Sequence, residues 1–324
     1  MQIRIKRAVE RVPGGMMIVP LSCGAAFATV APHAGEFFGS FTGALFTGAL
    51  PILAVSYVCI GASISVAAVP RIVRRGGALL GTKIMLGIIA GLVLGHLIGI
   101  QPIAAGWFAG LSTLAVVAAV NDTNGGLYMA LMSHYGTPED VGAYSAMAIE
   151  SGPFFTMVTL GVAGLSSFPW QTLLGAIIPF CIGLLLGNLD SEMRDFLGRG
   201  APIMIPFFAF ALGANLDLHR VWQAGLVGLA LGVANVLVSG TLLIAVDKLV
   251  GGNGTPGIAA AATAGNAAAV PMLVAAANPK YAAAAASATV LVASSVVVSC
   301  LLVPTLTTLW YQRVARRNSR NITP

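Results

Sequence analysis

The sequence predicts an all-α integral membrane protein: ten transmembrane helices arranged as two inverted five-helix repeats, with helices four and nine broken. Three observations predict it. The first is composition: of 324 residues, 57% are apolar and only 9% charged, against about 25% charged in a soluble domain. Most charges cluster between apolar stretches near the ~20 residues that cross a hydrocarbon core. The second is the lopsided placement of Lys and Arg, and the third is a polar interruption at matching places in the two halves. Ten spans would use about 200 residues and leave only short loops and tails. A soluble enzyme and a single anchor on a globular domain are therefore excluded.

The predicted spans follow from the apolar runs in order. The first, 14–30, comes after Arg4, Lys6, Arg7 and Arg11 and imitates a signal peptide. The many spans beyond it make it an uncleaved first helix. The second, 42–68, carries Pro51 and then Gly61-Ala62-Ser63; the third, 77–98, starts beyond Arg71, Arg74 and Arg75. The fourth, 104–133, is interrupted by polar residues, the fifth is 141–165 and the sixth 171–189. The seventh, 201–216, carries Pro206 and then Gly213-Ala214-Asn215, and the eighth is 222–246. The ninth, 257–277, is again interrupted, and the tenth is 281–310. Cys23, Cys59, Cys181 and Cys300 all fall in apolar stretches without ligand spacing and read as small core residues.

Orientation follows from the retention of Lys and Arg on the cytoplasmic side. With the N-terminus inside, fourteen of these residues fall on cytoplasmic segments and only Arg220 and Lys280 outside, while Lys83 lies within the third span. Both termini are thus expected in the cytoplasm. This placement accounts for the net charge of +6 without any nucleic-acid partner. Five spans per half is an odd number, so the second half enters the membrane upside down, as in secondary transporters. The expected units are residues 1–166 and, inverted, 167–324.

The polar chemistry sits at the interruptions. In span four, Asn121-Asp122-Thr123-Asn124-Gly125-Gly126 divides two apolar runs. Asn and Asp compete for backbone hydrogen bonds, and Gly-Gly lacks side chains to stiffen a helix. Unwound backbone at membrane depth is tolerated only inside protein or along a water-filled cavity. A half-helix N-terminus there would face an anionic substrate; the alternative is a turn between two shorter spans. Span nine carries Thr263-Ala264-Gly265-Asn266 followed by Pro271, so Gly265 marks a second break.

Glu150, inside span five, is the sharpest single residue, since a carboxylate there costs about 2.5–3.5 kcal/mol on insertion scales. It reads as a proton carrier or as a protonated structural acid. Asp122 is the second proton site, a cation ligand, or a helix cap. Lys83 reads as snorkelling to the cytoplasmic surface, with anion binding as the alternative. Asp217, Asp247 and Lys248 sit at span ends and read as solvated, and His96 and His134 as structural. Ser63 and Asn215 occupy corresponding places in the repeat and could line the cavity, as could Ser151 beside Glu150.

Four blocks carry a family resemblance: Arg-Val-Pro-Gly-Gly-Met-Met (11–17), Asn-Asp-Thr-Asn-Gly-Gly-Leu-Tyr (121–128), Glu-Ser-Gly-Pro (150–153) and Ile-Pro-Phe-Phe-Ala-Phe-Ala-Leu-Gly (205–213). Spread over nearly the whole chain, they resemble the bacterial 2-keto-3-deoxygluconate permease family. The resemblance implies an inner-membrane, proton-coupled importer of that sugar acid. It also implies kinship with the bile-acid/sodium-symporter-like fold, in which a core domain with crossing broken helices moves against a panel domain. In the sodium-coupled relatives, cation sites cluster at that crossing.

The expected mechanism is symport by alternating access. Asp122, Glu150 or both take protons, and Asn121, Thr123, Asn124 and Asn266 bind the substrate carboxylate and hydroxyls. No cofactor is expected beyond the coupling ion, H+ or alternatively Na+. The expected partners are a small sugar-acid anion and the lipid bilayer, with no obligate protein partner. A sodium-coupled carrier of another organic anion and a passive channel are the rivals. A membrane enzyme lacks any catalytic constellation in the sequence.

Overall fold

The computed structural model describes residues 4–11, 15–65, 70–214 and 218–320. In chain order, the helices that position the site are α1 (Gly15–Val30), α2 (Ala49–Ala62), α3 (Pro70–Leu97), α4 (Thr113–Asn121), α5 (Gly125–Tyr135) and α6 (Pro153–Val162). The second half follows as α7 (Trp170–Leu189), α8 (Gly200–Gly213), α9 (Leu218–Leu249), α10 (Thr255–Ala259), α11 (Val270–Ala277) and α12 (Ala282–Arg320).

Among the described residues, five helical segments are long and apolar enough to cross a bilayer: Ile72–Leu97, Trp170–Leu189, Ser191–Gly213, Gly225–Leu249 and Pro279–Arg317. A sixth results if Ser40–Thr47 and α2, bent by 70° about Gly48, form one span. The exterior agrees with a lipid solvent. Val93 on α3, Leu185 on α7 and Leu237 on α9 are all exposed, a pattern that in water would expose large apolar patches. The chain is a multi-pass membrane protein.

The uninterrupted spans are fewer than the ten apolar runs because several runs are broken. Spans four and nine each divide into two short helices. Span five, expected as one helix, is also divided. The 3₁₀ turn Ala148–Glu150 ends at Ser151, and α6 restarts at Pro153 after Gly152, whose φ is 106°. Proline at the first position of α6 lacks the donor that a continued helix needs.

The helices pack in two groups. In one, α1 lies on α8, α7 on α2, and α8 on α2. In the other, α9 and α12 pack along each other, α3 lies on α4, α6 and α9, and α12 covers α4, α10 and α11. Apolar burial cannot drive helices together in lipid, so small residues that admit close backbone approach take over. A Cβ on Gly24 of α1 would come 2.2 Å from the Phe210 carbonyl oxygen, and one on Gly213 of α8 2.0 Å from that of Leu21. The α2–α7 pair repeats this contact: a Cβ on Gly183 would come 1.9 Å from Val58 O, and one on Gly61 2.1 Å from Phe180 O. The register is the same in both, since Phe210 and Val58 each lie three residues before the glycine of their own helix, as do Leu21 and Phe180.

Candidate functional site

The two broken helices cross where both are unwound. α4 stops at Asn121, because the Asp122 backbone is extended at φ −123° and ψ 130°. Asn124 then caps α5, its side-chain oxygen accepting from Leu127 N at 3.1 Å. In the other half α10 stops at Ala259, and residues 260–264 run unwound into the 3₁₀ turn Gly265–Ala269 ahead of α11. The two unwound segments lie antiparallel. Asn124 N donates to Ala262 O at 3.0 Å, Ala264 N donates to Asp122 O at 3.2 Å, and Thr123 bridges to Thr263. Each break thus satisfies backbone groups of the other, as the absence of water at membrane depth requires.

Side chains of α9 and α12 hold the crossing from behind. The Thr263 hydroxyl donates to Ala119 O at 3.1 Å, accepts from Asn235 Nδ2 at 2.9 Å and lies 3.0 Å from Ser295 Oγ. Asn235 Nδ2 also donates to Ala119 O at 3.1 Å. Thr263, Ser295 and Ser299 are buried completely.

Three charged residues meet in front of it. Thr123 N donates to Glu150 Oε1 at 2.6 Å. Lys83 Nζ donates to Thr123 Oγ1 at 2.9 Å and to Ala260 O at 3.4 Å. Asn266 Nδ2 donates to Asp122 Oδ2 at 3.0 Å. Lys83, Glu150 and Asp122 are 0%, 1% and 2% exposed. Ions this deep survive only when charge and hydrogen bonds compensate their lost solvation. The compensation is incomplete, since Asp122 Oδ1 and Glu150 Oε2 have no hydrogen-bond partner among the described residues.

The expected site residues therefore divide. Asp122, Thr123, Glu150 and Asn266 come together at the crossing. Asn121 points elsewhere, donating from Nδ2 to Thr159 Oγ1 on α6 at 3.0 Å. Asn124 is occupied as the α5 cap. Gly125 and Gly126 form the first turn of α5 rather than the break itself, and Gly265 opens the 3₁₀ turn. The Tyr144 ring covers Gly125 so closely that a Cβ there would fall 1.9 Å from it. Ser151 follows Glu150 at the end of the 3₁₀ turn. Ser63 is exposed and bonds back to Ile60 O at 2.6 Å, away from the crossing. Asn215, like Asp217, lies outside the described residues.

Three sequence-based expectations give way. Lys83 does not snorkel: it turns inward to the crossing, and the signal was a lone charge well inside an apolar run. Asp247 is not solvated: its side chain is buried, accepts from Gly254 N at 2.8 Å and lies 3.5 Å from Arg75 Nε. Arg75 also pairs with Asp140, joining the loops that follow α5 and α9. Of the cysteines, Cys23 and Cys181 are exposed on the apolar exterior rather than packed in a core.

A cavity of about 320 Å³ lies between the two helix groups. Leu53 and Tyr57 of α2 and Pro179 of α7 line one side, Pro153 and Met157 of α6 and Leu273 of α11 the other. The Tyr57 hydroxyl is buried there without a hydrogen-bond partner among the described residues, and its ring abuts Gly152. The cavity therefore reaches the turn that directly follows Glu150. Apolar walls with few polar groups at one end are the usual make-up of a small-molecule site.

A profile for the family described as 2-keto-3-deoxygluconate permease matches residues 6–316. Among curated proteins, the 2-keto-3-deoxygluconate permease of Escherichia coli O7:K1 (strain IAI39 / ExPEC) is 48% identical over 319 residues, covering 98% of each chain. Those of Escherichia coli K12 (DH10B) and of Escherichia coli O9:H4 (strain HS) are 48% identical over the same coverage. With a profile spanning nearly the whole sequence and relatives this similar over their full length, the chain belongs to the 2-keto-3-deoxygluconate permease family and is a membrane transporter, not an enzyme.

Proposed function

We propose that the protein imports 2-keto-3-deoxygluconate across the bacterial inner membrane as a proton-coupled symporter working by alternating access. The observation that carries this reading is the crossing itself: two unwound segments held together by backbone hydrogen bonds, with Asp122 and Glu150 buried beside them. Buried carboxylates within transporter spans mark ion and proton pathways. The substrate is the one for which the Escherichia coli relatives are named.

In this reading the chain has ten spans, both termini in the cytoplasm, and a two-fold repeat relating residues 1–166 to 167–324. The matched glycine contacts of α1–α8 and α2–α7 support the repeat, because exchanging Gly24 with Gly183 and Gly61 with Gly213 maps one contact onto the other. The group holding α1, α2, α7 and α8 serves as the panel and the other as the moving core. The cavity between them admits the substrate, whose carboxylate competes for the donors Asn266 and Thr123. A proton on Glu150 or Asp122 removes the repulsion that this carboxylate would meet. The oxygen-rich crossing also favours a second reading, sodium-coupled uptake of another sugar-acid anion.

The test is uptake of labelled 2-keto-3-deoxygluconate into proteoliposomes under an imposed proton gradient and, separately, a sodium gradient. Accumulation driven by protons alone is expected. Accumulation driven only by sodium would replace the first reading by the second, and no uptake under either would refute the substrate assignment. Glu150→Gln should lose proton-driven accumulation while retaining exchange.

A further inference from the structure

We propose that Lys83 is the fixed cation of the coupling site: its ammonium occupies an oxygen-lined position between the crossing breaks that a free metal cation would otherwise fill. The proposal deepens the coupling half of the function above and rests on that reading for its role in transport.

Lys83 Nζ meets one oxygen from each of the two breaks. Thr123 Oγ1 from one break lies at 2.9 Å and Ala260 O from the other at 3.4 Å. Glu150 and Asp122, bonded to Thr123 N and Asn266 Nδ2, are the carboxyls buried at the same crossing. Hydroxyl and backbone carbonyl oxygens are among the ligands that hard cations take, and the Ala260 carbonyl lies just past the end of α10. The side chain is fully buried and comes from α3, outside both broken helices. The ammonium is thus tethered by a lysine stem and does not leave with the substrate.

Charge counting gives this a consequence. With Lys83 charged, the cluster of Asp122, Glu150 and Lys83 carries one net negative charge when both carboxyls are ionised. The side chains of Tyr57, against Gly152, and Tyr144, against Gly125, add no formal charge to this count. A single proton therefore neutralises the site, and no second cation is called for. Without Lys83 the same two carboxyls need two cations, and the vacated oxygens are placed to hold sodium.

The test compares purified full-length wild type with Lys83→Arg, Lys83→Met and the double variant Lys83→Met/Glu150→Gln. Each is melted at mildly alkaline pH in choline chloride and in sodium chloride of equal ionic strength. Wild type and Lys83→Arg should melt at the same temperature in both salts. Lys83→Met should melt higher in sodium, by on the order of 3–5 °C at ten times the sodium dissociation constant. The double variant, which has lost one charge of each sign, should again ignore sodium. The proposal is overturned if Lys83→Met is as indifferent to sodium as wild type, or if wild type itself is stabilised by sodium. Should Lys83→Met fail to fold, the double variant decides. A folded, sodium-indifferent double variant upholds the charge balance, and an unfolded one overturns it. These melts need neither substrate nor gradient, so they stand apart from any failure of the uptake assay.

Discussion

Replacing Gly61 by Ala tests the close helix contact on which both the packing and the proposed repeat depend. The added Cβ would lie 2.1 Å from Phe180 O, 2.9 Å from Leu184 N and 3.0 Å from Phe180 C. All three are backbone atoms of α7, so no rotamer change can relieve the clash. Restoring ordinary contact near 3.4 Å requires α2 and α7 to separate by more than 1 Å. That also pulls apart the reciprocal contact at Gly183. Overpacking of this kind costs about 1–3 kcal/mol, occasionally more. At about 2–4 °C per kcal/mol, the melting temperature of detergent-purified protein should fall by on the order of 5 °C. Gly81→Ala on α3 is the control, because nothing lies within 4 Å of its Cβ position. There the better helix propensity of alanine makes the change neutral or stabilising by up to about 1 kcal/mol. Equal melting temperatures for Gly61→Ala and Gly81→Ala would refute the close approach. Gly213→Ala should repeat the loss at the α1–α8 contact, where its Cβ would meet Leu21 O at 2.0 Å.

Other perturbations probe the crossing and the loops behind it. Asn235→Ala removes donors to Ala119 O and Thr263 Oγ1. Bonds between membrane helices average about 0.6 kcal/mol and reach about 1.7, so a loss of about 1 kcal/mol is expected, read as a lower melting temperature with exchange slowed. Arg75→Ala leaves Asp140 and Asp247 buried without their cation and should cost about 3–5 kcal/mol. Arg74→Ala, which removes only an exposed bond to Val250 O, should cost less than about 1 kcal/mol; equal losses for the two arginines would contradict the ion cluster. Tyr57→Phe removes a buried hydroxyl that has no partner among the described residues and should leave stability unchanged. If the cavity admits substrate to that hydroxyl, the same change raises the KM for uptake, and an unchanged KM would count against it.

Membrane character and the positions of the breaks were legible in the sequence because both are local properties. Hydropathy is a property of a run of neighbours. A break needs only residues such as Asp122 and the capping Asn124, or Gly265-Asn266 with Pro271, that compete with or cannot continue a helix. The break beside Glu150 was less visible, although Gly152-Pro153 carried its signal, because the apolar residues around it masked the turn. The partnership of Asp122 with Asn266 spans 144 positions, and that of Lys83 with Ala260 spans 177. No window of sequence contains either pair.

Residue types and their order therefore determined that this chain enters the membrane many times, that two of its helices break, and that carboxylates lie at depth. Only the tertiary structure decided which charges meet. Lys83 sits in an apolar run with a stem long enough to reach the surface, and Asp247 sits at a helix end where water would solvate it. Sequence treats both as free to seek solvent. Once α3 packs against α4 and α9 and the breaks cross, however, the oxygens of Thr123 and Ala260 come within hydrogen-bond reach of the Lys83 ammonium, which is fully buried. An ion in a low-dielectric interior goes where its compensating groups are fixed, and the fold alone fixes them.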